Sequence, residues 1–88
     1  MTTARQTTDH NKIREWTEAR GGRPAKVKGA SRGGILRIDF REPDENLEEI
    51  SWQEFFDIFD SGELAFLYQE KTEGGQESRF NKFVDREQ

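Results

Sequence analysis

The sequence predicts one small α+β domain, a four-stranded antiparallel sheet with two helices packed on it, in the order α-β-β-α-β-β. Two observations carry this prediction. Two stretches show apolar residues at helical spacing and end at glycine, whereas four shorter stretches have strand character and lie beside glycine-rich or polar turns. A chain of 88 residues is near the lower size limit for a core that needs no cross-links.

The first helix follows a polar start. Residues 1–8 lack apolar periodicity and are predicted to form a disordered tail. A cap at Thr8 or Asp9 begins the helix, whose narrow apolar stripe is anchored by Trp16. The glycine pair at 21–22 should end it.

Two strands joined by a glycine-rich turn are predicted next. Residues 24–28 and 35–40 alternate apolar with polar residues, with Asp39 facing solvent. The connection at 29–34 is short enough for an antiparallel hairpin. Residues 41–49 are then expected to be an acidic loop.

The stretch 50–70 has the strongest local signals. Ser51 and Glu54 have the spacing of a capping box, and Gly62 is the expected left-handed residue after the helix. Residues 64–68 are apolar on both faces, as expected of a central strand. The helix carries an aromatic stripe, formed by Trp52, Phe55, Phe56 and Phe59. We interpret the stripe as core, because so small a chain needs large side chains to close one.

The last element is a strand at 78–84, favoured because a Gly-Gly turn and a strand precede it. Its apolar residues also fit helical spacing, so a helix there stays open. Residues 85–88 are predicted to be a charged tail, which leaves 9–84 as the domain. The two αββ units look alike, but few residues match and no duplication is predicted.

Composition excludes several classes of protein. The chain has no Cys and one His, so disulfides, thiolate zinc sites and His-based metal sites within one chain are not expected. No apolar run is long enough to span a membrane, and residues 1–9 are too polar for a secretory signal. We therefore expect a soluble cytoplasmic protein without cofactor or membrane partner.

Charge is divided unevenly along the chain. Residues 1–40 carry a net +5 and residues 41–88 a net −9, which together give −4. The densest cationic run lies at 20–32 and comprises Arg20, Arg23, Lys26, Lys28 and Arg32. We predict that the protein is a non-enzymatic interaction module and that this basic edge binds a protein or an anionic partner. Sequence-nonspecific nucleic-acid binding by the same cations is the alternative. An edge strand protected by lysines is a further interpretation.

Signals for catalysis are weak. The glycine-rich segment at 29–34 lacks the lysine of a phosphate-binding loop, and the serines have no plausible histidine partner. The carboxylates match no calcium-binding loop. We therefore expect no enzymatic activity and no catalytic residues.

Five motifs together resemble a family of small uncharacterised bacterial proteins: HxxIxxWxxxRGGxPA from His10, GILRIDF from Gly34, WxEFF from Trp52, LAFLYQE from Leu64 and SRFxKFV from Ser78. Members of that family sometimes carry the name 1,4-α-glucan branching enzyme. The resemblance implies a bacterial single-domain cytoplasmic protein, and through that name a carbohydrate-related activity is a remote alternative. A branching enzyme is built on a large catalytic barrel that this chain cannot contain.

Overall fold

The structure, a computed structural model, describes residues 4–29, 35–40 and 44–86. The elements are β1 (Arg5–Thr7), α1 (His10–Ala19), β2 (Arg23–Val27), β3 (Leu36–Asp39), β4 (Leu47–Glu49), α2 (Trp52–Ser61), β5 (Leu64–Tyr68) and β6 (Asn81–Asp85). The Cα atoms span 37 × 35 × 18 Å, so the molecule is flat. Within the described ranges, no helix has the length and apolar character needed to cross a membrane.

The strands form two antiparallel three-stranded sheets, ordered β1-β5-β6 and β3-β2-β4. The α+β class, both helices and both hairpins are confirmed, but the single four-stranded sheet and the order α-β-β-α-β-β are wrong. The difference comes from β1 and β4, which lie in the predicted tail and the predicted acidic loop. Their sequences, RQT and LEE, are too short and too polar to show a period of two.

The two halves of the chain have the same topology. Each half contains a strand, a helix and a hairpin, and the first strand of each half pairs with the hairpin of the other half. Thus β1 pairs with β5, and β4 pairs with β2. The structure therefore has a repeat that the sequence does not reveal, because the equivalent positions carry different residues.

Helix α1 begins and ends where the sequence predicts. The Asp9 carboxylate accepts hydrogen bonds from the backbone N–H groups of Asn11 and Lys12, at 2.9 and 3.3 Å. These contacts satisfy donors that have no partner within the helix. Gly21 has a φ of 70°, a left-handed conformation that a side chain would disfavour.

Helix α2 confirms the predicted N-terminus but not the predicted end. The Ser51 hydroxyl accepts a hydrogen bond from the Glu54 N–H at 3.0 Å, but the Glu54 carboxylate accepts from Lys26 instead of completing the capping box. Gly62 has a φ of −83°, so the prediction of a left-handed Gly62 is wrong. The left-handed residue is Glu63, with a φ of 52°, which turns the chain into β5.

Both helices and both sheets contribute to one core, made of Ile13, Trp16, Leu36, Ile38, Ile50, Phe55, Phe59, Leu64, Phe66 and Tyr68. Phe55 and Phe59 have no exposed surface, whereas Trp52 and Phe56 are partly buried and pack against the core, so the stripe is core at two of its four positions. Phe83 of β6 packs against both, with ring centroids 5.7 and 6.3 Å away. The 78–84 stretch thus contributes a strand, as predicted, and one face of it enters the core.

Two further predictions concern the first hairpin. Its turn at 29–34 lies largely outside the described residues. Asp39 was expected to face solvent, but only 7% of its surface is exposed. The Arg23 guanidinium lies 3.4 Å from the Asp39 carboxylate and compensates its charge in this buried position.

Candidate functional site

Arg20, the first cation of the predicted basic edge, is directed into the molecule. Only 9% of its surface is exposed. Its guanidinium donates hydrogen bonds to the backbone carbonyls of Ser78, Glu70 and Trp16, the last two at 2.8 and 3.0 Å. It also lies over the Trp16 ring, 4.4 Å from the centroid. These contacts leave little of the guanidinium for an external anion.

Arg23 is also engaged within the protein. One guanidinium N–H donates to the Phe40 carbonyl at 2.8 Å, and the same nitrogen lies 3.4 Å from the Asp39 carboxylate. Glu49 lies 3.8 Å from its Nε. The group joins β3 and β4 across β2, which is a structural role.

The other three cations of the predicted basic edge are Lys26, Lys28 and Arg32, and they do not share one environment. Lys26 donates to the Glu54 carboxylate at 3.0 Å, and this hydrogen bond and the charge of Glu54 raise the pKa of Lys26 above its ordinary value of 10.5. Lys28 is exposed and forms no ion pair with a described residue. Arg32 lies outside the described residues. The structure therefore does not assemble residues 20–32 into one described cationic surface.

A different cationic surface follows from an irregularity before β6. Tyr68 pairs with Asn81 at the end of the β5–β6 ladder, and Lys71 pairs with Glu77 in an isolated bridge beyond it. Two residues, 69–70, separate these pairs on the β5 side, whereas three residues, 78–80, separate them on the β6 side. The extra residue makes this a β-bulge, a feature that commonly redirects side chains. Arg79 and Phe80 are both exposed, Phe80 to 47%.

The bulge is held from inside by hydrogen bonds. The Ser78 hydroxyl accepts from the Phe80 N–H at 3.1 Å and donates to the Gln69 side-chain oxygen at 2.8 Å. Arg20 donates to the carbonyls of Ser78 and Glu70, one on each side of the bulge. Arg20 is therefore a positioning residue for the segment that presents Arg79 and Phe80.

Beside the bulge lies a groove of about 350 Å³, lined by Arg37 of β3 and by Asn81, Lys82 and Phe83 of β6. The groove lies between one edge strand of each sheet, β3 and β6. No described residue forms an ion pair with Lys82. The Arg79 guanidinium lies over the Phe40 ring, 5.5 Å from its centroid, and is a third cation, three residues before Lys82 in the chain. We call the four lining residues the β3–β6 groove.

The outer edge of β6 presents backbone groups. The Phe80 carbonyl accepts a hydrogen bond from the Gln69 N–H, and the Arg86 N–H donates to the Glu63 carbonyl, so both residues direct backbone groups toward β5. Residues in an antiparallel ladder alternate in this respect, so Asn81 and Phe83 direct their N–H and C=O groups away from β5. Within the described ranges nothing bonds to those groups.

On both walls of the groove, near β6 and in β3, a side chain donates a hydrogen bond to a nearby backbone carbonyl. The Asn81 side-chain amide donates to the Arg79 carbonyl at 3.0 Å, and Arg37 donates to the Leu36 carbonyl at 2.7 Å. Capping and nearby cations are devices that keep a strand edge from pairing at random. The open part of the β6 edge is thus restricted to a few residues.

Among the described residues, no group of three or more His, Asp or Glu side chains could hold a metal ion. The β3–β6 groove instead offers cations, an amide and an aromatic ring. Comparison of the chain with family models, curated proteins and solved structures finds no match.

The sequence contains a signal for this site, in the alternation of basic and aromatic residues in RFNKF at 79–83. Such interleaving is typical of surfaces that bind nucleic acids or anionic chains. It escapes recognition because the same residues satisfy the pattern of a half-buried strand. Arg37 could not have been assigned to the site, since only the tertiary structure brings β3 beside β6.

Proposed function

We propose that this protein is a non-enzymatic binding module that holds an anionic segment of a partner protein in the β3–β6 groove. The observation that carries the proposal is Lys82, an exposed cation in a groove beside Arg37, without a carboxylate partner among the described residues. A cation in a concave site attracts an anion more strongly than one on a flat, fully hydrated surface.

The proposal keeps the sequence-based hypothesis of a basic module and places its contact surface elsewhere. Arg20, Arg23 and Lys26 have internal partners, and their hydrogen bonds would have to break before they could bind an anion. Breaking the contacts of Arg20 and Arg23 leaves buried or partly buried carbonyl groups unsatisfied, at about 1–3 kcal/mol each. Lys82 binds at no such cost as far as the described residues are concerned, since none of them forms an ion pair with its ammonium.

The chemistry of the groove supports binding rather than catalysis. Its described lining contains Arg37, Asn81, Lys82 and Phe83, and therefore offers positive charge, amide hydrogen bonds and an aromatic surface. None of these side chains is a carboxylate, imidazole or hydroxyl, and Lys82, the one amine among them, is exposed rather than desolvated in the way that activates a lysine as base or nucleophile. For this reason we do not propose the carbohydrate-related activity that the family resemblance suggests.

A matched pair of variants tests the proposal. Lys82→Gln and Lys28→Gln each remove one exposed lysine charge, the first in the groove and the second on the predicted basic edge. Binding of a fluorescent glutamate-rich peptide is followed by anisotropy at several salt concentrations. We expect Lys82→Gln to weaken binding about three- to fivefold, corresponding to about 0.6–1 kcal/mol for one surface charge pair, and Lys28→Gln to leave it unchanged. Equal effects of both variants, or no binding at low salt, would contradict the proposal.

Single-stranded nucleic acid is a second candidate partner, favoured by one observation. The bulge exposes the Phe80 ring between Arg79 and Lys82, and proteins that bind single strands combine cations with aromatic rings on which bases stack. Phe80→Ala should then weaken oligonucleotide binding by about 1–3 kcal/mol, and affinity should fall steeply with salt. Failure of single-stranded DNA and RNA oligomers to bind at low salt would eliminate this candidate.

A further inference from the structure

The outer edge of β6 has the geometry of a strand that accepts another strand. Asn81 and Phe83 direct their backbone N–H and C=O groups away from β5, and in the described part of the chain nothing pairs with them. Every pairing between the described strands is antiparallel. An extended peptide on this edge would continue the order β1-β5-β6 by one strand.

The side chains on β6 predict which residues such a peptide should contain. Successive side chains of a strand point to opposite faces of the sheet. Phe83 packs on the core, so Lys82 and Val84 lie on the other face. The residue opposite Lys82 on an added strand would face the same way, where a carboxylate forms a favourable cross-strand pair.

We propose that the groove accepts an extended acidic peptide that pairs antiparallel with β6 and places a carboxylate opposite Lys82. This inference rests on the proposed function and specifies how the partner is held. Backbone hydrogen bonds to Asn81 and Phe83 supply the alignment, and Lys82 supplies the preference for acidic residues. Arg37, on the opposite wall, adds positive charge on the side of the peptide away from β6.

Charge complementarity favours an acidic peptide over a second copy of this chain. Pairing of β6 with β6 of another copy in the register centred on Lys82 would place the two Lys82 side chains opposite each other, and Asp85 at the end of β6 would not lie opposite either of them. Like charges across a strand pair are destabilising. The capped carbonyls of Leu36 and Arg79 also limit how far a longer strand could continue.

The register predicts which amide groups of the peptide matter. In an antiparallel pair, residues that lie opposite each other have side chains on the same face, and alternate pairs exchange hydrogen bonds. Asn81 and Phe83 belong to the bonding set on this edge and Lys82 does not. The acidic residue opposite Lys82 therefore has its N–H directed away from β6, whereas its neighbours in the peptide donate to β6.

N-methylation of the peptide TVEVEVT tests this geometry without altering the protein. Methylation at the valines removes donors that face β6 and adds bulk there, and we expect affinity to fall about tenfold or more, since a factor of ten corresponds to one lost hydrogen bond. Methylation at the glutamates, as the matched control, should change affinity by less than about twofold. Replacement of both glutamates by glutamine should weaken binding to the wild type more than binding to Lys82→Gln, in which Arg37 still supplies positive charge.

The outcomes separate the inference from the proposed function. If both methylated series bind like the parent peptide, the acidic segment is held by its side chains alone, so strand addition is overturned while the proposed function stands. If TVEVEVT and polyglutamate both fail to bind at low salt, both are overturned. Binding of single-stranded oligonucleotides in competition with the peptide, or self-association of the protein that the peptide does not reverse, would also overturn strand addition.

Discussion

Replacement of Arg20 tests the internal role that the structure gives to this residue. Arg20→Met keeps most of the aliphatic volume and removes the hydrogen bonds to the carbonyls of Ser78, Glu70 and Trp16. Hydrogen bonds that involve a charged group contribute about 1.5–3 kcal/mol each, and three bonds to one guanidinium are not additive. The bond to Trp16 is local, so we assign most of the effect to the two long-range contacts.

We therefore expect Arg20→Met to lower the free energy of unfolding by about 3–5 kcal/mol. A typical stability of about 0.05–0.15 kcal/mol per residue gives about 4–13 kcal/mol for 88 residues, so this loss is a large fraction of the total. Arg20→Lys keeps the charge but not the planar fork, and should lose about half as much. Urea unfolding followed by tryptophan fluorescence measures both variants.

Arg14→Met is the control, because Arg14 is exposed and its one ion pair with a described residue is to Glu18, one helical turn away at 3.2 Å. Its loss should be about 0.5 kcal/mol or less. If Arg20→Met were as mild as the control, the carbonyl contacts of Arg20 would contribute no stability and the account of the bulge would be refuted. Hydrogen exchange adds a local readout, since the Ser78 N–H should lose protection in Arg20→Met but not in Arg14→Met.

The remaining predictions concern buried and capped groups. Thr17→Val should raise stability by about 1 kcal/mol in urea unfolding, because the buried Thr17 hydroxyl has no hydrogen-bond partner among the described residues; a loss of stability would show that the hydroxyl has one. The raised pKa of Lys26 means that its pair with Glu54 stabilises the fold fully below pH 10.5 and that this contribution is lost as pH rises through the higher folded pKa. The difference in unfolding free energy between wild type and Glu54→Gln should accordingly be constant from pH 8 to 10 and shrink at higher pH. A difference that grew with pH would show that Glu54 does not raise the pKa of Lys26. Phe55→Ala should lose about 3–5 kcal/mol and Ser51→Ala about 1 kcal/mol; a milder effect for Phe55 would mean that the core lies elsewhere.

Local signals in the sequence account for both helices. The caps at Asp9 and Ser51 and the aromatic stripe each depend on residues within one or two turns, and the structure contains all of them. The same holds for the two hairpins, whose strands are separated by short turns. Structure that is determined by near neighbours could therefore be predicted.

Strands β1 and β4 were not predicted, because local signals do not determine them. β1 and β4 contain three residues each and pair with strands that lie far away in the sequence. Their conformation is imposed by the exposed edges of β5 and β2, so propensity and periodicity carry no information about them. Adding them divides the predicted single sheet into two, and that division creates the β3–β6 groove.

Arg20 illustrates the same limit for the candidate site. In the sequence it is one of several cations in a glycine-rich run, whereas its three acceptors include the carbonyls of residues 50 and 58 positions away. No pattern near Arg20 indicates that it turns inward. The cations of the groove come from both halves of the chain, so they too could not be grouped before the fold was known.

The most direct measurement is a nuclear magnetic resonance titration of the ¹⁵N-labelled protein with a short glutamate-containing peptide. The groove predicts saturable shifts of the backbone amides of Asn81, Lys82 and Phe83, with a smaller shift at Arg37. The amide of Lys28, on the predicted basic edge, should not move. Shifts centred on Lys28, with residues 81–83 unchanged, would contradict the assignment of the groove as the binding site.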